Sequence, residues 1–322
     1  MSRDSVFTAQ RSIERGIERI RLAGAGGVEI LPGLGGAVHR LALPDPRSED
    51  RSNWELLAHD SEDELPKNPL FRGRLLFPWN DRIPQGRYRF GGRLFELPTD
   101  SAGDGSALHG LLHRLPLGVS SIREGAKGVE LELRSGPEQL VSPGYPFALS
   151  IRARYVLSYA GFELELAVRN SGTEPAPVAF GWHPYYRLAD RIDGALLTVE
   201  SDRYVPVDER LLPFGTTEAV SDSRYDFRAG RRIGTDALDV ALTAPAGGRL
   251  SLRYGGRRIE LFHDPALFRY VQLFVPPDRG SIAIEPVTAA TDSFNRPELG
   301  LRVLAPGEVV GGRIRVSLVS DS

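Results

Sequence analysis

The amino-acid sequence predicts an all-β protein of sandwich or barrel architecture. Three observations carry that reading: short runs in which apolar and polar residues alternate, dense glycine and proline punctuation, and no long stretch with a helical apolar period. Alternation of period two marks a strand buried on one face, because successive strand side chains point to opposite sides. It is clear in Val129-Glu130-Leu131-Glu132-Leu133, in Phe162-Glu163-Leu164-Glu165-Leu166-Ala167-Val168 and in Arg313-Ile314-Arg315-Val316-Ser317-Leu318. Two more pairs of runs meet at a Gly-Gly dipeptide. Arg87 to Phe90 meets Arg93 to Leu97 across Gly91-Gly92, and Leu250 to Tyr254 meets Arg257 to Leu261 across Gly255-Gly256. Glycine accepts the positive φ of a two-residue hairpin turn, so both pairs are predicted as tight hairpins. The 35 glycines and 24 prolines among 322 residues supply turns for many short strands, with no βαβ alternation between them.

Ser12 to Leu22 is the best helix candidate and reads equally as an incoming strand. Asp45 to Asn68 is polar and irregular, and reads as an exposed loop or an insertion in the sheet system. Neither a low-complexity linker nor an internal repeat divides the chain, so one domain over residues 1–322 is expected.

Composition narrows the function classes. The chain is 41% hydrophobic and 25% charged, with 40 basic and 42 acidic residues spread along its length and a net charge of −2. That distribution provides no long-range field for a nucleic acid or an acidic membrane, and neither is expected as a partner. The absence of cysteine rules out disulfides, thiolate metal sites and a cysteine nucleophile. Charges interrupt the opening MSRDSVFTAQRSIERGIERIRL every few residues, leaving no apolar core for a signal peptide. No later run reaches the ~18 apolar residues of a membrane span, so the cytoplasm is the expected location. No exposed apolar stripe stands out, and a monomer or weak homodimer is expected.

Four segments carry polar residues that strand alternation does not explain. They are Leu76-Phe77-Pro78-Trp79-Asn80-Asp81-Arg82-Ile83, His109-Gly110-Leu111-Leu112-His113, Gly181-Trp182-His183-Pro184-Tyr185-Tyr186, and Ile282-Ala283-Ile284-Glu285-Pro286-Val287-Thr288 continuing to Asp292-Ser293-Phe294-Asn295. Glu285 ends an apolar run and precedes a proline, which cannot continue a central ladder. It is therefore either a solvent-facing residue on an edge strand or an inward carboxylate that must be paired. His109 and His113 have i, i+4 spacing, but Gly110 lies between them, Pro116 follows, and no Glu adjoins the first, so the HExxH zinc pattern is missing. No metal site is expected. Walker-type phosphate loops and GxSxG elbows are also missing.

Together, and in this order, the segments resemble the aldose 1-epimerase (galactose mutarotase-like) family. The matching stretches are Asn80-Asp81-Arg82-Ile83 with Gly86-Arg87-Tyr88-Arg89-Phe90, then His109-Gly110-Leu111, His183-Pro184-Tyr185-Tyr186, and Ile282 to Asn295. They fall within a similarity running from about Leu31 to Leu318. The resemblance implies the family's all-β supersandwich, a large antiparallel β-sandwich with an open carbohydrate cleft on one face. It implies Glu285 as general base, His183 as general acid, and His109 and Arg82 as substrate-binding residues. It implies a substrate-binding aspartate best matched by Asp239 in Asp239-Val240-Ala241-Leu242-Thr243, with Asp236 close by as the competing choice. Two departures stand out: Asp81 separates Asn80 from Arg82, placing an acidic group at or beside the cleft, and Leu242 stands where the family has Phe.

The implied reaction interconverts the α and β anomers of a hexose. A base removes the C1 hydroxyl proton, an acid protonates the ring oxygen, the ring opens, C1–C2 rotates, and closure reverses both roles. Nothing is oxidised or reduced, so no cofactor is expected. A carboxylate near its ordinary pKa and an imidazole raised by a neighbouring carboxylate suit the two roles. Trp79, Trp182 and Tyr185 are candidates for ring faces against the sugar. A hexose-6-phosphate epimerase would need a cationic cluster. Arg72, Arg74, Arg82, Arg87, Arg89 and Arg93 are numerous, but their alternation puts several on a solvated face, which favours an unphosphorylated sugar. A non-catalytic carbohydrate-binding protein on the same fold is the remaining alternative.

Overall fold

The computed structural model of the chain describes residues 7–50, 52–99 and 104–321. Residues 1–6, the start of the N-terminal stretch read above, lie outside this range. Among the described residues regular structure is strand and short 3₁₀ turns. No helix there is long and apolar enough to cross a membrane.

A nine-stranded sheet runs in the order Gly118–Gly125, Gly128–Arg134, Leu149–Ser158, Gly161–Asn170, Val309–Ser320, Arg257–His263, Arg249–Tyr254, Leu196–Val199 and Arg231–Arg232. An eight-stranded sheet runs Glu218–Ala219, Arg203–Tyr204, Asp239–Thr243, Tyr270–Phe274, Ile282–Val287, Gly181–Trp182 and Leu75–Leu76, with Tyr185–Tyr186 also paired to Ile282–Val287. Pairing in both is antiparallel. A five-stranded sheet of residues between Thr8 and Glu55 packs beside the first, where the Tyr155 hydroxyl donates to the Gly36 carbonyl at 2.6 Å.

The alternation in sequence becomes the core. Leu149, Ile151, Ala153, Tyr155 and Leu157 are buried from one strand of the nine-stranded sheet, and Phe162, Leu164 and Leu166 from the next. Val240, Leu242, Val271, Leu273, Ile282 and Ile284 of the eight-stranded sheet join the same apolar cluster. Phe162 and Trp182 meet across the gap with ring centroids 5.9 Å apart. Because Val240, Leu273 and Ile284 face inward, alternation turns Asp239, Gln272 and Glu285 to the opposite face of that sheet. The site is built there.

Both Gly-Gly hairpins are present. Phe90 pairs with Arg93 and Tyr254 with Arg257, and the four glycines have φ between 56° and 78°. Three open readings are decided. Ser12 to Leu22 takes the strand alternative, in a hairpin of Thr8–Glu14 and Ile17–Gly24 that turns at Arg15-Gly16. Asp45 to Asn68 is more than an exposed loop: Asn53–Glu55 adds a sheet strand, and Leu56, Leu57, Asp60 and Leu65 are buried. The strand bearing Glu285 continues through Pro286 to Val287 and lies inside the sheet. The N–H groups of Ile284 and Thr288 point toward Pro184 and Phe180, so the donor that Pro286 lacks falls on that side. There the neighbouring strand is interrupted between Trp182 and Tyr185, so the proline falls at a break in the ladder.

Candidate active site

A cavity of about 220 Å³ opens on the outer face of the eight-stranded sheet. Arg82, His109, His183, Asp239 and Glu285 all line it, although they come from segments far apart in sequence. Register supplies part of the constellation: Gln272 stands opposite Glu285, and Asp239 opposite Phe274.

His183 occupies the gap between two short strands and is fixed by its backbone. Its N–H donates to the Arg74 carbonyl at 3.0 Å, and its carbonyl accepts from the Gly73 N–H at 2.9 Å. Gly73 has φ of 69°, and a Cβ there would come within 1.9 Å of the Val38 carbonyl oxygen, so glycine is required for this close approach. The His183 ring stacks on Tyr185, with centroids 4.9 Å apart and planes inclined by 7°. Its Nε2 lies 3.4 Å from Oε1 of Glu285, and both side chains are buried. His183 Nδ1 has no hydrogen-bond partner among the described residues.

His109 meets His183 edge to face at 5.1 Å and adopts a left-handed backbone, φ 60°. Asp81 shares that conformation, φ 60°, and its N–H donates to Nδ1 of His109 at 3.0 Å. The accepting Nδ1 leaves the ring proton on Nε2, so neutral His109 is a donor. Burial and the charge of Arg82 hold it neutral, well below the usual histidine range. Phe71, φ 53°, is a third at this cavity, and such backbones are a local strain of the kind that folds sustain at functional sites. Arg82 is held by Asp104 at 3.1 Å and Asp81 at 3.3 Å, and its carbonyl accepts the Asp292 N–H at 2.9 Å.

Charges in the cavity are unbalanced. Asp81, Asp239 and Glu285 face one guanidinium, Arg82. Burial, reinforced by the carboxylates of Asp81 and Asp239, pushes Glu285 well above the usual carboxylate range. Burial and Asp81 raise Asp239 to about 7, against the pull of Arg82 and the Gln272 amide, which donates to it at 2.6 Å. Burial and His109 drive His183 down, with Asp81 opposing. The expectation of an ordinary carboxylate beside a raised imidazole is thus corrected in direction: low dielectric disfavours separated charge and favours the neutral form of both groups.

Other expectations are sorted by the same geometry. Asp239 borders the cavity, whereas Asp236 pairs with Arg231 at 2.9 Å and does not line it. Asp81 does enter the site, and its second oxygen accepts the Thr291 hydroxyl at 2.6 Å. Asn80 turns away and donates to the Ala289 carbonyl. Trp79 and Trp182 are buried in the core and are not cavity faces; Tyr185 is one. Phe71 and Phe274 also line the cavity, and Phe71 separates His109 from His113 by packing an edge against each ring. Sequence reasoning missed both, because an apolar residue facing a ligand carries the same signal as one facing the core. Among the described residues, no group of three or more His, Cys, Asp or Glu is placed to hold a metal ion.

Comparison with known proteins identifies the family and the fold. Residues 18–317 match the family model of aldose 1-epimerases. The chain is 28% identical to the uncharacterized protein YihR of Escherichia coli K12, over 74% of this chain and 76% of that protein. It is 30% identical to mouse galactose mutarotase, over 55% of this chain and 51% of the mouse protein. It therefore spans about half the length of the mammalian mutarotases that it matches. In three dimensions it resembles a galactose mutarotase-like protein from Clostridium acetobutylicum, with a TM-score of 0.85, 18% identity, and coverage of 98% and 99% of the two chains. Galactose 1-epimerase of Lactobacillus acidophilus gives a TM-score of 0.79 at 17% identity, with 98% of each chain covered. The fold is that of the galactose mutarotase-like proteins, and the chain belongs to the aldose 1-epimerase family.

Proposed function

We propose that this chain is an aldose 1-epimerase that interconverts the anomers of an unphosphorylated hexose by general acid–base catalysis. The observation that carries the reading is the buried pair of His183 Nε2 and Glu285 Oε1, 3.4 Å apart in a cavity otherwise furnished to hold hydroxyls. Glu285 takes the C1 hydroxyl proton while His183 delivers one to the ring oxygen. The open aldehyde rotates about C1–C2, and closure returns both protons. His109 Nε2–H, Arg82 and Asp239 hold ring hydroxyls, and the Tyr185, Phe71 and Phe274 rings offer apolar faces.

The environment of the pair suits this exchange. A proton on Glu285 with neutral His183, and a carboxylate with imidazolium, differ by one proton moved across the 3.4 Å gap. Burial favours the first. It also makes the carboxylate a stronger base and the imidazolium a stronger acid whenever the second forms, which eases transfer from and to sugar oxygens of much higher and lower basicity. Each positioned transfer is worth about 10²–10⁴-fold in rate.

Three carboxylates facing a single arginine disfavour a phosphate, which supports the unphosphorylated substrate. Polarimetry of freshly dissolved α-D-glucose, α-D-galactose and glucose 6-phosphate in buffer containing EDTA tests the assignment. Acceleration of one or both free sugars over the buffer rate, with the phosphate ester much slower, is expected. A phosphate ester turned over faster than both would reverse the substrate assignment, and buffer rates throughout would favour a binding protein.

A further inference from the structure

His183 lacks the device that commonly orients a catalytic imidazole, a hydrogen bond to its second ring nitrogen. Nε2 faces Glu285, and among the described residues Nδ1 has no hydrogen-bond partner. Backbone bonds to Gly73 and Arg74 place the residue but leave rotation about its side-chain bonds open. What remains is ring contact, the edge-to-face approach of His109 and the parallel stack on Tyr185. The direction of Nε2 is therefore only as firm as the Tyr185 ring.

Two segments hold Tyr185. Its backbone is tied to the stretch before Asp60, where the Ala58 N–H donates to the Tyr185 carbonyl at 2.8 Å and Leu57 bridges to Tyr186. Its ring is met by Arg72, whose guanidinium carbon lies 5.7 Å from the ring centroid, within cation–π reach. Arg72 stands directly before Gly73 and Arg74, which bond the His183 backbone. One short segment thus grips both layers of the stack.

Ion pairing alone does not explain how Arg72 is set. One terminal nitrogen donates to Asp60 at 2.9 Å, and the other lies 3.8 Å from Asp278. Among the described residues, Arg72 Nε and the second Asp60 oxygen are buried without a hydrogen bond. A pair arranged for its own stability would engage both oxygens side by side. This one forgoes the second bond and leaves the guanidinium at the Tyr185 ring. Burial, then His109 and last the Arg72 charge oppose a proton on His183, while Asp81 favours one. Position, more than charge, is what Arg72 supplies.

We propose that Arg72 is a positioning residue for the anomer interconversion, clamping the Tyr185 ring against His183 so that Nε2 stays directed at Glu285 and the sugar ring oxygen. The inference rests on the mutarotase reading of the cavity.

The test replaces the buried pair together, as Asp60→Asn/Arg72→Gln, so that neither charge is stranded. On α-D-galactose or α-D-glucose, kcat is expected to fall about tenfold with KM within about twofold, since a misdirected acid slows the transfer and leaves hydroxyl contacts in place. Arg72→Lys keeps a cation beside Asp60 and Tyr185, and its kcat is expected within about threefold of wild type. Asp60→Asn alone, an isosteric change that stands in should the double variant not fold, is expected to lower kcat about threefold. Wild-type kcat in the folded double variant, or in Asp60→Asn where it stands in, overturns the proposal. So does a loss in Arg72→Lys equal to that of the double variant.

Histidine side-chain NMR separates this inference from the catalytic one. The His183 Hε1 signal, identified by its disappearance in His183→Asn, carries the ring-current shift of Tyr185. It is expected to move in the double variant and to return in Arg72→Lys. A signal that stays in place in the folded double variant overturns the clamp, even if that variant is slow. A moved signal supports the clamp even if wild type epimerises no sugar, a result that would remove the mutarotase reading instead.

Discussion

The outer face of the nine-stranded sheet and the outer face of the eight-stranded sheet both carry arginine among acidic residues. On the first, Arg154 lies 2.7 Å from Glu130 and 3.2 Å from Glu165, Arg152 lies 2.5 Å from Glu165, and Arg315 lies 2.6 Å from Glu163. Every one of these acids has a cation beside it, and the hydrogen bond from Arg154 holds Glu130 below the ordinary carboxylate range. On the second, Asp81, Asp239 and Glu285 share Arg82 in a cavity, and the latter two are pushed upward. Alternation puts acids on both faces. What separates a solvated ladder from a reactive site is the ratio of charges and the loss of water, since desolvation favours the protonated acid and a nearby cation favours the ionised one.

That contrast can be broken at several points, beginning where the effect is largest. His183→Asn removes the imidazole proposed to transfer the proton, and kcat for mutarotation is expected to fall by about 10²–10⁴-fold with the fold retained. A variant within tenfold of wild type in kcat would remove His183 from the chemistry.

The second concerns a charge pair that is buried but balanced. Asp60, with its side chain 0% exposed, is met at 2.9 Å by Arg72, whose guanidinium lies 5.7 Å from the Tyr185 ring centroid. Arg72→Gln strands that carboxylate, and urea unfolding is expected to show a loss of about 3 kcal/mol. A loss under about 1 kcal/mol would mean that the pair behaves like the exposed ladder.

The third tests the unbalanced cavity through pH. Asp239 is raised from 3.8 to about 7, so the fold favours its protonated form. Its stabilising contribution is complete below about pH 4 and is lost as the pH rises toward 7. Asp239→Asn, which needs no proton, should match wild type in melting temperature at pH 4 and exceed it by at least about 2–4 °C at pH 8. A difference independent of pH would show that Asp239 does not titrate in this range.

The smallest effect belongs to the ladder. Glu165→Gln is expected to change stability by no more than about 1 kcal/mol and leave mutarotation unchanged. A larger loss in urea unfolding would give the outer ladder a structural weight that the comparison denies it.

Much of this architecture was legible because its physics is local. Period-two runs such as Phe162 to Val168 and the turns at Gly91-Gly92 and Gly255-Gly256 specify strands and hairpins with no knowledge of their partners. Arg82, His109, His183 and Glu285 were legible only through the order of four motifs, and Asp239 only through a separate, poorer match, since nothing local says that His109 will lie 5.1 Å from His183. What stayed hidden depends on tertiary context. The proline after Glu285 suggested a strand end, but a gap in the neighbouring chain lets the strand pass through it. Trp79 and Trp182 look like sugar platforms in a motif, and only packing assigns them to the core. The upward shift of Glu285 arises from burial, reinforced by Asp81 and Asp239, and folding supplies all three.

The most direct test of the acid–base assignment compares wild type and Glu285→Gln on freshly dissolved α-D-galactose and α-D-glucose. Folding of both proteins is checked by circular dichroism and thermal melting. The account predicts cofactor-free acceleration by wild type and a loss of about 10²–10⁴-fold in the variant, at unchanged or higher stability. A folded Glu285→Gln variant that epimerises as fast as wild type would contradict it.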